Sequence, residues 1–330
     1  MPQVFPQKSS EQMFNGNKMF SIIIPYYKKR EYIERCLDSV LAQTFNDYEI
    51  ILVDDGSQDD ITKLIHNKYQ DKVKLIIQKN QGVSVARNTG IANATQPYIA
   101  FLDADDCWHS QYLEFASKII NNNTDVKIVG SHYSRDKKIL ENSYDEIKNK
   151  KIDHYFRVAV QNTLFLTSAT IVKRSFFDDN SRFNPNLKRG EDIDVWLRTV
   201  ASGGNVFYVE NTLVYYSDED VHQATASIGN VENTLVGVIN EYYKPLIEKI
   251  NNPDFSTFVS KYVYFNLYPY YFSTTNHNKA KRNLKQNKYY YFFLHLPYYL
   301  PLSVGQKIVS NKKLNRYLRM YLKFFLRKVY

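Results

Sequence analysis

Phe101-Leu102-Asp103-Ala104-Asp105-Asp106-Cys107-Trp108 ends an apolar run with three carboxylates in four residues. Ile99 to Leu102 follow Pro97, are apolar, and read as a buried strand. Clustered carboxylates repel one another, so Asp103, Asp105 and Asp106 need a cation or hydrogen-bond donors to coexist. Their hard oxygens suit Mg2+ or Mn2+, with a substrate's phosphates completing the coordination shell. The C-terminal end of a strand is also where open α/β sheets bind ligands. The alternative is a solvated acidic turn that caps a helix from about Ser110.

Two more apolar runs lie upstream. Phe20 to Pro25 is a continuous β-branched run, FSIIIP, that ends in Pro25-Tyr26-Tyr27. Tyr48 to Val53 ends in Asp54-Asp55-Gly56-Ser57. Helix-patterned segments separate the runs. Glu31 to Thr44 places Ile33, Leu37, Val40 and Leu41 on one face, and Asp59 to Tyr69 places Ile61, Leu64 and Ile65 on one face. A short strand, Val73 to Ile77, precedes a helix over Gly82 to Ala94. This alternation predicts a parallel, doubly wound sheet with three polar elbows at its C-terminal edge. No G-x-G-x-x-G follows the first strand and no G-x-x-x-x-G-K-[ST] occurs, so neither a dinucleotide loop nor a P-loop is supported.

IIIPYY, VDDGSQDD, GVSVARNTG, FLDADDCW and GEDIDVWLR occur in that order over about residues 20 to 217. This ordered set resembles the motifs of the family 2 glycosyltransferases of GT-A fold, among them bacterial surface-polysaccharide enzymes. The resemblance implies a Rossmann-like, mostly parallel sheet flanked by helices, a nucleotide-sugar donor, a divalent metal (Mn2+ or Mg2+), and inversion at the anomeric carbon. Where the family often has Asn after the elbow tyrosine, this chain has Lys28.

The resemblance also assigns roles. Pro25 and Tyr27 border the base. Asp55, beside Asp54, accepts the uracil N–H of a uridine nucleotide. Asp105 is the protein ligand of the metal, and Asp103 contacts ribose or an outer water. Ala104 lies between them. Arg87 bridges Asp103 or faces the diphosphate, and Asn88 follows it. Asp192 matches the base that deprotonates the acceptor hydroxyl, with Glu191 sharing the acceptor site. Both acids also suit a helix N-terminus by its dipole alone. Ile193, Trp196, Leu197 and Val200 form the apolar face of that helix. Apart from the resemblance, His222, in a polar run after a strand over Leu213 to Tyr216, is placed to complete the metal shell or touch the diphosphate, the alternative being a solvated loop histidine.

Charge is segregated along the chain. Residues 255 to 330 contain fourteen Lys or Arg and no acid, whereas residues 1 to 254 hold 29 bases against 34 acids. Such asymmetry points to a polyanionic partner. Lys312, Arg316, Arg319, Lys323 and Arg327 share one helical stripe, opposite Leu314, Tyr317, Leu318, Tyr321, Phe325 and Val329. A basic amphipathic helix of this kind suits an anionic membrane surface. Tyr289 to Leu302, YYYFFLHLPYYLPL, is too short to span a bilayer but rich in tyrosine. The alternative is a helix packed on the body with a solvated basic face. Nucleic acid is a third reading, set aside because an apolar stripe beside tyrosine–proline clusters fits lipid better.

These signals divide the chain into a flexible leader, 1–18, a catalytic region, 19–225, and a helical, basic, aromatic-rich region, 226–330. The catalytic region has a nucleotide-sugar half over about 19–130 and an acceptor half over about 131–225. Cys36 and Cys107 do not form a disulfide framework, no apolar signal segment opens the chain, and no run of about 18 apolar residues occurs. A cytoplasmic protein on the inner face of the membrane is expected. Transfer to a polyprenyl phosphate is the second enzymatic reading, but an ionised acceptor needs no hydroxyl base. A non-catalytic sugar-nucleotide-binding or nucleic-acid-binding protein is the reading of another class, opposed by Asp103, Asp105 and Asp192.

Overall fold

The computed structural model describes residues 19–160, 164–219 and 229–328. The expected leader, His222 and Val329 lie outside these residues. The first half alternates as predicted: β1 (Phe20–Tyr26), α1 (Ile33–Leu41), β2 (Tyr48–Asp54), α2 (Ile61–Leu64), β3 (Val73–Ile77), α3 (Val83–Asn93) and β4 (Tyr98–Phe101). The helix expected over Asp59 to Tyr69 starts as α2 and widens into a π-helical turn over Ile65–Tyr69. β5 (Cys107–Trp108), α4 (Tyr112–Asn122), β6 (Val126–Ser134), β7 (Asn149–Lys151) and α5 (Tyr155–Ala159) follow. After them come β8 (Thr170–Lys173), α6 (Phe176–Asp179), α7 (Glu191–Ala201) and β9 (Asn205–Tyr215).

The strands form one sheet in the order β3-β2-β1-β4-β8-β6-β9-β5, with β7 also on β9. β1 to β4 are parallel. β8 then reverses direction against both β4 and β6, and β5 and β7 run antiparallel to β9. The sheet is therefore mixed: β1 to β4 form a parallel block that carries the three elbows, and β6 and β9 form a second parallel pair beyond the reversed β8. Register aligns them: Tyr26 sits opposite Asp54, and Asp54 opposite Ile77. Leu102 donates its N–H to Ile23 O at 3.1 Å, which brings the third elbow alongside the first.

Both faces of the parallel strands are covered, which explains their continuous apolar sequence. Ile22 and Ile24 belong to the core under α1 and α4, whereas Ile23 belongs to the opposite core. Gly90 lets α3 lie directly on β1, since a Cβ there would stand 2.4 Å from Ile23 Cγ2.

The C-terminal region is helical: α8 (Leu235–Tyr242), α9 (Lys244–Ile250), α10 (Pro253–Asn266), α11 (Tyr268–Tyr271), α12 (His277–Lys285), α13 (Phe292–His295), α14 (Leu302–Ser310) and α15 (Lys312–Lys328). These helices share a core with the second face of the sheet, from Phe101 and Trp196 through Tyr243, Phe255 and Tyr264 to Leu322 and Leu326. The packed alternative is thus the observed state of α15. Leu322 and Leu326 are buried, and Leu318, Tyr321 and Phe325 pack half-buried against the same core. Tyr321 donates to Phe293 O at 2.8 Å. Of the apolar stripe expected to face lipid, Leu314 and Tyr317 remain exposed. No described helix is long and apolar enough to cross a membrane.

Candidate active site

The three elbows meet at the C-terminal edge of β1, β2 and β4. In the first, Pro25 is the last residue but one of the buried strand, Tyr26 ends it, and Tyr27 is 42% exposed. Lys28 has φ +52°, the left-handed region that Asn tolerates best among larger residues. That explains Asn at this place in the family, and Lys28 adopts the same backbone. Its N–H donates to Ser57 Oγ at 3.0 Å, tying the first elbow to the second.

In the second elbow, Asp54 and Asp55 are both buried but differ in use. Asp54 Oδ1 accepts the Ser57 N–H at 2.9 Å. Asp55 accepts three bonds: Gln78 Nε2 at 2.7 Å and Gln81 N at 2.9 Å on Oδ1, and Gly82 N at 2.8 Å on Oδ2. Asp55 therefore fixes the loop that opens α3.

The third elbow separates its carboxylates by partner. Asp103 Oδ1 meets Arg87 Nη2 at 2.7 Å, and Asp105 Oδ2 meets Lys29 Nζ at 2.7 Å. Asp106 is buried and accepts Ser168 Oγ at 2.5 Å and Ser217 N at 2.9 Å. Ser168 also accepts the Asp103 N–H at 3.0 Å and, through its carbonyl, the Trp108 indole at 2.6 Å. Burial and the neighbouring Asp103 charge push the Asp105 carboxyl up, against the opposing pull of Lys29. Burial pushes Asp106 higher still. Ala104 is buried between them.

Arg87 joins this edge to the acceptor side. It is 4% exposed and extends Nη1 to Glu191 at 3.3 Å while holding Asp103. Its guanidinium lies 5.3 Å from the Phe183 ring. Asn88 turns elsewhere: it donates to Phe183 O at 2.8 Å and accepts Phe183 N at 2.9 Å, clasping that loop to α3.

Gly190 starts α7 in the left-handed region, φ +77°, where a Cβ would stand 2.8 Å from Leu235 Cβ. Glu191, Asp192 and Asp194 occupy the first turn. Asp192 Oδ2 accepts Thr167 Oγ1 at 3.0 Å. Burial, then the Asp192 charge, hold the Glu191 carboxyl above its ordinary range against Arg87. The apolar face predicted for α7 is displaced. Val195, Trp196 and Leu197 are buried, Ile193 and Val200 only half so, and Asp194 is fully buried. Asp194 tolerates this because Arg198 Nη2 meets it at 2.8 Å and Tyr243 donates to it at 2.7 Å.

Sequence reasoning missed Lys29, Thr167 and Ser168. Lys29 adjoins the first elbow and was readable as a cation there. Thr167 and Ser168 lie in a stretch without any motif, and only the fold brings them to the acids.

No group of three or more His, Cys, Asp or Glu residues is arranged to hold a metal among the described residues. Asp103 and Asp105 nevertheless fit a hard divalent ion that takes few protein oxygens and leaves the rest to phosphates.

Residues 21–180 match the sequence model of the family described as Glycosyl transferase family 2. The chain is 31% identical over 234 residues to an uncharacterized glycosyltransferase of Rickettsia conorii, covering 70% of this chain and 37% of that protein. It is 36% identical over 117 residues to glycosyltransferase GlyA of Streptococcus pneumoniae, covering 34% of this chain and 17% of that one. The chain thus spans little more than a third of the first relative. Residues 1–349 of TarS from S. aureus, solved in complex with UDP-GlcNAc, superpose with a TM-score of 0.62 at 17% identity, covering 94% of this chain and 90% of that one. The same fragment in complex with UDP gives 0.59 at 16% identity, covering 94% and 87%. The chain belongs to the family 2 glycosyltransferases, and its fold is of the GT-A kind.

Proposed function

We propose that the chain is an inverting glycosyltransferase. It moves a sugar from a nucleoside-diphosphate sugar, a UDP-sugar by preference, to a hydroxyl of a glycan or lipid-linked acceptor in cell-surface polysaccharide synthesis. One observation carries the reading: buried Arg87 holds Asp103 of the third elbow and Glu191 of α7 at once. Donor-side and acceptor-side acids therefore lie one side chain apart, as transfer between two bound substrates requires. The TarS complexes with UDP-GlcNAc and UDP support the choice of donor.

Roles follow from the geometry. Pro25 and Tyr27 border the base. Asp54, whose second oxygen no described group occupies, takes the base N–H, while Asp55 shapes the loop. Mn2+ or Mg2+ would be held by Asp105 with Asp103 beside it, and would stabilise charge on the departing diphosphate. Arg87 orients Asp103 and Glu191. Asp192, steadied by Thr167, accepts the proton of the attacking hydroxyl.

The test combines binding with turnover. Nucleotide sugars, with and without Mn2+, are screened for a rise in melting temperature, which binding to the folded state alone produces. Asp192→Asn should keep the donor-induced rise while nucleotide release slows by roughly 10²–10⁴, the usual worth of a positioned base. No stabilisation by any donor, or full turnover in Asp192→Asn, would sink the assignment.

Peripheral membrane attachment remains part of the reading, through the exposed part of the aromatic segment 289–302 and of α15 rather than through the whole apolar stripe of α15. Phe292, Phe293, Tyr299, Tyr317 and Phe324 are exposed. Phe293 stacks on Phe325 at 4.7 Å, and Phe325 meets Phe324 at 5.1 Å, so α13 and α15 share an aromatic face suited to a headgroup region.

A further inference from the structure

A cleft of about 1020 Å³ lies between the catalytic region and the C-terminal helices. One wall is α15, which contributes Lys312, Arg316, Arg319 and Lys323. Lys150, paired with Glu210, and buried Lys261 also line the cleft, and no carboxylate among the described residues does. This is the stripe that the sequence assigned to anionic lipid; in the fold it faces a cleft. The other wall is aromatic: Tyr155, Trp196, Phe258, Tyr262 and Phe265.

Three features mark a binding site rather than a gap in packing. Lys312, Arg316 and Lys323 pair with no carboxylate among the described residues, so their charge is uncompensated. Arg319 is held over the Phe265 ring at 5.7 Å, which orients a donor fork suited to phosphate. Trp196 lines the cleft, and its buried indole N–H has no acceptor among the described residues. A buried donor without a partner is costly, and a small turn of the ring toward the cleft would let a ligand oxygen satisfy it.

The cleft also runs along the helix that carries the proposed catalytic base. Ile193 and Trp196 line it from α7, which begins with Glu191 and Asp192. The Asp192 charge acts on both Tyr155 and Tyr262 of the aromatic wall.

We infer that this cleft is the acceptor channel and that it takes a phosphate-bearing glycan segment, its rings on the aromatic wall and its phosphates on Arg316, Arg319 and Lys323. The inference rests on the glycosyltransferase reading for the word acceptor; the anion site stands on the cleft alone. Phosphate could come from a soluble chain or from a lipid headgroup, and the test separates the two.

The full chain, saturated with UDP to fill the donor site, is titrated with inorganic tripolyphosphate by calorimetry. One further site is expected, and its affinity should fall as salt rises. Arg316→Gln with Lys323→Gln should weaken it by about tenfold or more, since charge-assisted bonds to phosphate are the strong ones. The melting temperature and UDP affinity of that variant should stay at wild-type values, because both side chains are exposed. Lys281→Gln with Lys285→Gln, exposed on α12 and outside the cleft, should leave the titration unchanged.

Vesicles of phosphatidylglycerol and phosphatidylcholine form the second arm. A cleft variant that loses vesicle binding but keeps tripolyphosphate would show that these cations meet a bilayer, and would overturn the proposal. So would the absence of a second tripolyphosphate site, or equal weakening by the α12 control. A chain that binds tripolyphosphate at the cleft but no UDP would overturn the acceptor role and the glycosyltransferase reading together, leaving an anion site.

Discussion

Glu191 faces two opposing influences. Burial and the adjoining Asp192 charge favour its neutral form, and Arg87 favours the charged one. The raised carboxyl takes up a proton at a pH where an ordinary glutamate, near ~4.3, would still be ionised. As pH falls through that raised value, the Arg87–Glu191 pairing lapses. The acid limb of kcat/KM for nucleotide release should therefore lie above the ordinary carboxylate range. Glu191→Gln, neutral at every pH, should lack that limb and start from near the wild-type acid level, leaving only the loss that comes with protonation of the base Asp192. A wild-type profile that stays level down to about pH 4 would remove Glu191 from the mechanism. Much of this site was legible in the residues, because acids at strand ends stand out against apolar runs. Their division of labour was not. Asp54 and Asp55 are chemically alike, and only the donors from Gln78, Gln81 and Gly82 show that Asp55 shapes a loop.

At the scale of elements, α7 shows why a pattern of apolar residues misplaces a face. Asp194 reads as one more acid in a helix's first turn, where the dipole welcomes it. In the fold it is fully buried, and Arg198 and Tyr243 tie α7 to α8 through it. Arg198 Nη2 also donates to Arg182 O at 2.9 Å, so the loop before α7 hangs on the same pair. Asp194→Ala leaves a guanidinium with little water and no counter-charge, held by the carbonyls of Ser181 and Arg182. Breaking such a pair costs about 3–5 kcal/mol. Chemical denaturation should show a loss of that size, and Asp194→Asn a smaller one. A loss below about 1 kcal/mol, the range of exposed pairs, would contradict the burial argument. The strands and early helices were readable since each is one uninterrupted apolar run or one clear stripe. The reversal at β8 was not: Thr170–Lys173 is short, and its antiparallel pairing to β4 and β6 is a long-range choice.

At the scale of the whole molecule, α15 is a structural wall as well as a charged one. Leu322 and Leu326 are buried in the core shared with the sheet, and each is worth about 1.5–3 kcal/mol on burial. Removing residues 310–330 should lower the melting temperature of the remaining chain, in contrast to the detachable anchor that the sequence pattern suggests. Tyr317→Ser with Phe324→Ser, both more than half exposed, should weaken vesicle binding while leaving the melting temperature unchanged. A truncated chain that melts as the full one does would show that α15 contributes nothing to the core.

The wall is also late in time. The ribosome completes the three elbows by Trp108, and the aromatic residues of α7 and α10 follow, yet the opposite side emerges only with Lys312–Lys328. At the usual pace of synthesis, roughly 5–20 residues per second, the nascent chain holds its elbows for on the order of ten to forty seconds before α15 exists. Once made, Trp196, Tyr262 and Phe265 have no cover from α15 until it emerges, for Phe265 about three to thirteen seconds at that pace, so a translating chain is most exposed to misassociation after its donor half has formed.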